Sequence, residues 1–235
     1  MRMTVCVALT PHCNTAMKGR TMAGGLLVSG AIAALFAAAI PAQGAGSSFE
    51  DPPADKIVIT VATVNGSGCP AGTAAVAVSG DNTAFTVTYS DYLAQVGGNS
   101  DPTAFRKNCQ LNLKVRVPAG FTYAIASADY RGFAALQRGA SAVQKASYYF
   151  QGSSATVART HTYNGPLNDN WQATDVTDWA QLVYAPCGVQ RNFNINTELR
   201  VNAGTSTGTS FMAMDSTDGD INTVYHLAWQ PCPAK

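Results

Sequence analysis

From Cys109 to Val117 the chain alternates with period two. Leu111, Leu113, Val115 and Val117 fall on one face, and Gln110, Asn112, Lys114 and Arg116 on the other. A strand sends successive side chains to opposite faces, so this pattern predicts a half-buried strand lying on a core. Arg191 to Val201 repeats it, with Phe193, Ile195, Leu199 and Val201 inward and Asn192, Asn194 and Asn196 outward. Shorter runs predict further strands at Ile57-Ile59-Val61, Val76-Val78, Phe85-Val87-Tyr89, Phe121-Tyr123-Ile125 and Tyr148-Phe150, and then at Phe211-Met212 and Val224 to Trp229. Turn chemistry separates them: Gly80-Asp81-Asn82, Gly97-Gly98-Asn99, Pro118-Ala-Gly120, Asn164-Gly-Pro166 and Asp218-Gly219. No segment holds a helical period for three turns. Many short strands at regular spacing predict one all-β domain, an antiparallel β-sandwich of jelly-roll-like build.

Two segments lack that pattern. Gly46 to Ala54, with Pro52-Pro53 and nearby acids, reads as an exposed lead-in, so the expected organisation is a flexible stretch over 46–55 and a sandwich over 56–235. Asn164 to Trp179 reads as a long loop carrying Trp171 and Trp179 among Asp169, Asp175 and Asp178. Long loops on a rigid sandwich are where binding concentrates. Tyr163, Trp171, Asp175, Asp178 and Trp179, with Tyr184 close by, therefore form the candidate binding set: aromatic faces to stack, carboxylates and amides to hydrogen-bond a sugar or a protein. The competing reading puts both tryptophans in the core beneath the loop.

The N-terminus changes the setting. A basic stretch, an apolar run from Met22 to Ile40 and the small residues of Pro41 to Gly46 have the order of a secretory signal peptide, predicted over 1–45 with cleavage after Ala42 or Ala45. Met17-Lys18-Gly19-Arg20 would begin a complete signal by itself, which makes residues 1–16 read as an over-extended start. The run's Ala and Gly content and Pro41 favour removal over a permanent anchor, leaving an extracellular product free of the membrane. Arg2, Lys18 and Arg20 leave with the leader, so twelve basic residues face fourteen acids, a net charge of −2. With no basic excess or patch, nucleic-acid binding is set aside. A single domain of this size can bury a sizeable core alone, and a monomer is expected.

Cysteine usage agrees with export. Cys6 and Cys13 lie in the leader, and Cys69, Cys109, Cys187 and Cys232 remain, an even set that implies two disulfides in one of three connectivities. Pairing in sequence order would close two loops of forty-odd residues, each stabilising by roughly 4 kcal/mol on the chain-entropy argument. A zinc site is the rival, disfavoured because no pair has the close spacing metal sites use.

Catalytic signals are weak. Gly204-Thr-Ser206-Thr-Gly208 fits the nucleophile-elbow pattern, followed by Asp215, Asp218, Asp220 and His226 in hydrolase order, but it falls between two β segments where an elbow needs a strand-to-helix turn. Asp215, Asp218 and Asp220 gather carboxylates around Gly219, a candidate structural calcium site that departs from the EF-hand spacing. His161 and His226 have no neighbouring ligand and read as structural. Asp175 with Asp178 is a candidate acid pair for a glycosidase, a role that depends on separation across a cleft.

Several strings together carry a family resemblance: Asn65-Gly-Ser-Gly-Cys69-Pro-Ala-Gly-Thr73, Phe85-Thr-Val with Tyr89-Ser-Asp-Tyr92, Arg106-Lys-Asn-Cys109-Gln-Leu-Asn-Leu113 and Pro118-Ala-Gly-Phe121. Asp129-Tyr-Arg-Gly132, Leu136-Gln-Arg-Gly139, Tyr148-Tyr-Phe150, Pro186-Cys187, Ile195-Asn196 with Leu199-Arg200, and Trp229-x-x-Cys232 continue it over nearly all of the exported chain. The sequence resembles the domain-of-unknown-function 4360 family. That resemblance implies a secreted protein of bacterial or fungal type and brings no catalytic residues with it. The expectation is a non-catalytic extracellular protein that binds another protein or a polysaccharide, with no cofactor beyond the candidate calcium. The alternatives are a hydrolase built from dispersed carboxylates and an inhibitor or effector acting on a protein.

Overall fold

Alternating positions become strands whose inward residues meet across two antiparallel sheets. The computed structural model describes residues 50–214 and 222–233, all within the second of the two units, 1–45 and 46–235, into which the chain divides. The expected leader and the acids Asp215, Asp218 and Asp220 lie outside the described residues. The strands are β1 (Val58–Asn65), β2 (Ala74–Val78), β3 (Ala84–Tyr89), β4 (Leu93–Val96), β5 (Arg106–Arg116), β6 (Phe121–Leu136), β7 (Ser141–Phe150), β8 (Val157–Asn164), β9 (Leu167–Val176), β10 (Asn192–Asn202), β11 (Ser210–Ala213) and β12 (Thr223–Pro231). A single 3-10 turn, Trp179–Gln181, accompanies them among the described residues.

One sheet has the order β1-β5-β10-β7-β8. In the other, β11 and β12 lie end to end along one edge of β6, while β9 covers the opposite edge; Phe133 pairs with both Ala213 and Asn170. β3 and β4 continue the same line outward, β3 on β12 and β4 on β11, and β2 closes the sheet on β3. Every pairing is antiparallel, as short connections between successive strands allow. The all-β sandwich expected from the alternation is what forms.

Leu111, Leu113 and Val115 on β5 and Phe193, Ile195, Leu199 and Val201 on β10 are all buried, on the face the period-two pattern assigns them. They meet an aromatic layer from the second sheet. Tyr123 on β6 packs edge-on to Phe150 at 5.5 Å between centroids, and Tyr225 on β12 to Tyr148 at 6.3 Å. Edge-to-face contacts of this kind add to the area that the rings remove from water. Six tyrosines, Tyr89, Tyr92, Tyr123, Tyr130, Tyr148 and Tyr225, are buried in this interior. The disulfides pair in chain order, Cys69–Cys109 and Cys187–Cys232, with Cα separations of 5.3 and 5.8 Å. All four thiols are thereby committed, which removes the zinc alternative.

One expectation needs correction. The segment Asn164 to Trp179 is not a loop: β9 occupies most of it, paired along β6 from Leu136↔Leu167 to Ser127↔Val176. Trp171 is 4% exposed, and its indole N–H donates to the Ala213 carbonyl at 3.1 Å. Its ring centroid stands 5.4 Å from that of Tyr163, and Gly132, its partner on β6, leaves room for the indole because it lacks a side chain. Part of the expected lead-in meets the sandwich through side-chain hydrogen bonds. Asn82, held at φ 59°, donates from its amide to the carbonyls of Pro53 (2.8 Å) and Asp55 (3.0 Å) and accepts from the Ile57 N–H at 3.2 Å. Trp229 donates in turn to the Asn82 carbonyl at 2.9 Å, so residues 53–57 are fastened to the sheet through one buried asparagine.

Candidate binding surfaces

The residues singled out in the sequence are dispersed by the fold. Trp171 is core, and Asp175 is 5% exposed on the inward face of β9, where its Oδ1 lies 2.9 Å from His161 Nε2 on β8. That contact spans the two sheets at their shared edge. Asp178 is exposed, so of the proposed acid pair one carboxylate is inside the sandwich and the other is in solvent. Trp179, on the 3-10 turn, is 42% exposed and close in sequence to the exposed Val176. Tyr163 is half-buried against Trp171, and Tyr184 is half-buried with its hydroxyl enclosed.

Of the hydrolase constellation, Ser206 and His226 lie among the described residues and each is engaged in another contact, while the candidate acids lie outside them. Ser206 lies between β10 and β11 and its oxygen accepts the Gly208 N–H at 3.2 Å, the geometry of a local turn. His226 on β12 places Nε2 2.9 Å from Asp129 on the adjacent β6. Burial works to raise the Asp129 carboxyl, but the Thr174 hydroxyl and His226 outweigh it and hold it below its ordinary value. These contacts tie β12, β6 and β9 together.

The outward face of the five-stranded sheet was not singled out as a site. Register across β5, β10 and β7 aligns Asn112, Asn194 and Tyr149 in one row, Gln110, Asn196 and Ser147 in the next, and Asn108, Glu198 and Lys145 in the third. The Asn112 amide donates to the Asn194 carbonyl oxygen, and the Asn192 amide to that of Asn112, each at 2.7 Å. At one end, Glu198 is gripped by Arg106, whose Nε donates at 2.7 Å, and by Arg200 at 3.0 Å. Burial works to raise the Glu198 carboxyl, yet the two guanidinium groups prevail and hold it below the usual carboxylate range. Between that ion pair and the amides lies a depression of about 310 Å³, bordered by Asn108, Gln110, Lys145, Ser147 and Asn196. Within it, the side-chain oxygen of Asn196 is shielded from solvent and has no hydrogen-bond partner among the described residues.

A second concavity opens at one end of the sandwich, bounded by the β5–β6 turn, residues 185–191 and the Cys187–Cys232 bridge. It measures about 880 Å³.

Two antiparallel sheets braced by two disulfides define a disulfide-stapled β-sandwich, a build suited to oxidising extracellular conditions. The chain belongs to the family described as domain of unknown function DUF4360, whose pattern matches residues 55–232. A protein of Arthroderma benhamiae described as an uncharacterized secreted protein is 35% identical over 193 residues, which cover 82% of this chain and 78% of that protein. The protein is secreted. Among the described residues no helix is long and apolar enough to cross a membrane. A structure of TmCBM61 in complex with β-1,4-galactotriose aligns over 75% of this chain and 88% of that one, at 8% identity and a TM-score of 0.23. Agreement that loose carries no argument about this chain.

Proposed function

We propose that this is a non-catalytic extracellular protein that binds a polysaccharide on the outward face of its five-stranded sheet. The observation that carries the reading is the unpartnered, shielded oxygen of Asn196 in a depression bordered by amides, a hydroxyl and a lysine. A buried acceptor without a donor costs on the order of 1–3 kcal/mol, and a ligand hydroxyl seated there would recover it. Amides donate and accept together, which suits sugar hydroxyls that do the same. Tyr149 in the adjoining row offers a ring face for stacking. No nucleophile or acid pair is needed for this role.

The test is retention of the secreted protein on insoluble polysaccharides. Asn196→Ala and Tyr149→Ala should each abolish retention without lowering the melting temperature. Trp179→Ala serves as the comparison, because exposed Trp179 and Val176 are the surface a protein partner would use. Loss of retention with Trp179→Ala alone moves the site to the sandwich edge, and no retention on any polysaccharide overturns the reading.

A further inference from the structure

The end groove has a different chemistry from the amide face. Val115, Val117, Phe121 and Val189 supply an apolar lining, and Val189 is 51% exposed, an unusual position for valine unless something covers it. Arg116 and Arg191 also line the groove; among the described residues no Asp or Glu does, and neither arginine is in an ion pair. A concentration of positive charge around apolar walls is notable in a domain whose net charge is negative. Tyr123 lines the groove as well; it is 3% exposed and its hydroxyl has no hydrogen-bond partner among the described residues. A buried phenol of this kind is a donor waiting for an acceptor. At about 880 Å³ the groove falls in the range of small-molecule sites.

We propose that the groove binds an amphipathic carboxylate of the long-chain fatty-acid class. Its apolar body lies along Val115, Val117, Phe121 and Val189, its anionic head is held by Arg116 and Arg191, and the Tyr123 hydroxyl donates to a ligand oxygen. Both guanidinium groups are cationic and present forked donors that match a carboxylate. The site is separate from the amide face and needs neither metal nor nucleophile.

The experiment is calorimetric titration of the secreted, delipidated protein with palmitate, hexadecanol and butyrate as probes. Saturable binding of one palmitate is expected, with hexadecanol weaker by about tenfold or more because it lacks the charge, and no measurable binding of butyrate. Arg116→Gln combined with Arg191→Gln should weaken palmitate by about tenfold or more while leaving hexadecanol unchanged. Ala119→Trp, at an exposed lining position, should block both long-chain probes without lowering the melting temperature. Asn196→Ala should leave palmitate binding intact. Absence of saturable palmitate binding overturns the proposal, as does palmitate affinity that survives both the double-arginine and Ala119→Trp variants.

Discussion

Replacing Trp171 with alanine tests whether β9 is a strand of the core. The indole is 4% exposed, so the change empties a large buried volume, for which the usual cost is about 3–5 kcal/mol. It also deprives the Ala213 carbonyl of its 3.1 Å donor, which pushes the loss toward the upper part of that range. In a domain of this size each kcal/mol lowers the melting temperature by about 2–4 °C, giving a fall of about 6–20 °C. A paired substitution sharpens the test. At Gly132 a new Cβ would stand 2.5 Å from two indole carbons of Trp171 and 2.0 Å from the Ala213 carbonyl oxygen. Gly132→Ala should therefore destabilise by about 1–3 kcal/mol or more, but less in the Trp171→Ala background, where the indole has gone. Urea unfolding followed by far-UV circular dichroism gives the four stabilities of the cycle. A Trp171→Ala protein that melts within about 1 °C of the wild type, or two costs that add without coupling, would refute the burial argument.

Leu113 is fully buried on β5 between Val61 of β1 and Phe193 of β10, while Lys114 faces solvent. Leu113→Asp should prevent folding or sharply lower the denaturation midpoint by burying an unpaired charge, and Lys114→Asp should leave it nearly unchanged. Equal effects would mean the register is wrong. Asp81 accepts from the Thr83 hydroxyl at 2.8 Å and the Thr83 N–H at 3.1 Å. The hydroxyls of Ser79 and Thr83 and that backbone N–H draw its carboxyl from 3.8 down to about 2. A depressed carboxyl stabilises the fold above its unfolded value and loses that effect as pH falls through the folded one. The melting-temperature gap between wild type and Asp81→Asn should therefore be constant at neutral pH and close between pH 3.8 and about 2. A gap that persists at pH 2 would remove the carboxylate from the account.

Strands with unambiguous alternation were readable residue by residue. β5 and β10 needed nothing beyond period two, because most of their inward positions, Leu111, Leu113, Val115, Phe193, Ile195, Leu199 and Val201, are large and apolar and their outward ones polar. β9 hid its register: Asp169 and Asp175 share the phase of the buried Trp171, while Val176 at the strand's end points outward. Asp175 is tolerated inside because His161, on a different sheet, meets it at 2.9 Å, and a partner fourteen residues away leaves no local signal. The amide face was half visible. Asn192, Asn194 and Asn196 were placed outward, but their alignment with Gln110, Asn112, Ser147 and Tyr149 exists only once three distant strands are in register. The groove was not visible at all, since its walls come from residues 115–123, 185–191 and 232–233.

The tyrosine-filled interior makes alkali a reporter of the whole fold. Burial pushes the Tyr89, Tyr92, Tyr123, Tyr130, Tyr148 and Tyr225 phenols above the ordinary value of 10.0, whereas the unfolded chain ionises near that value. Their contribution is complete below about pH 10 and declines as pH rises beyond it, by about 1.4 kcal/mol per pH unit for each phenol. Six acting together make that decline steep. Base should not colour these rings one at a time: the near-ultraviolet tyrosinate band should stay low and then rise in one abrupt step as the sheets come apart. The interior thus carries its own optical indicator, silent while the sandwich is closed.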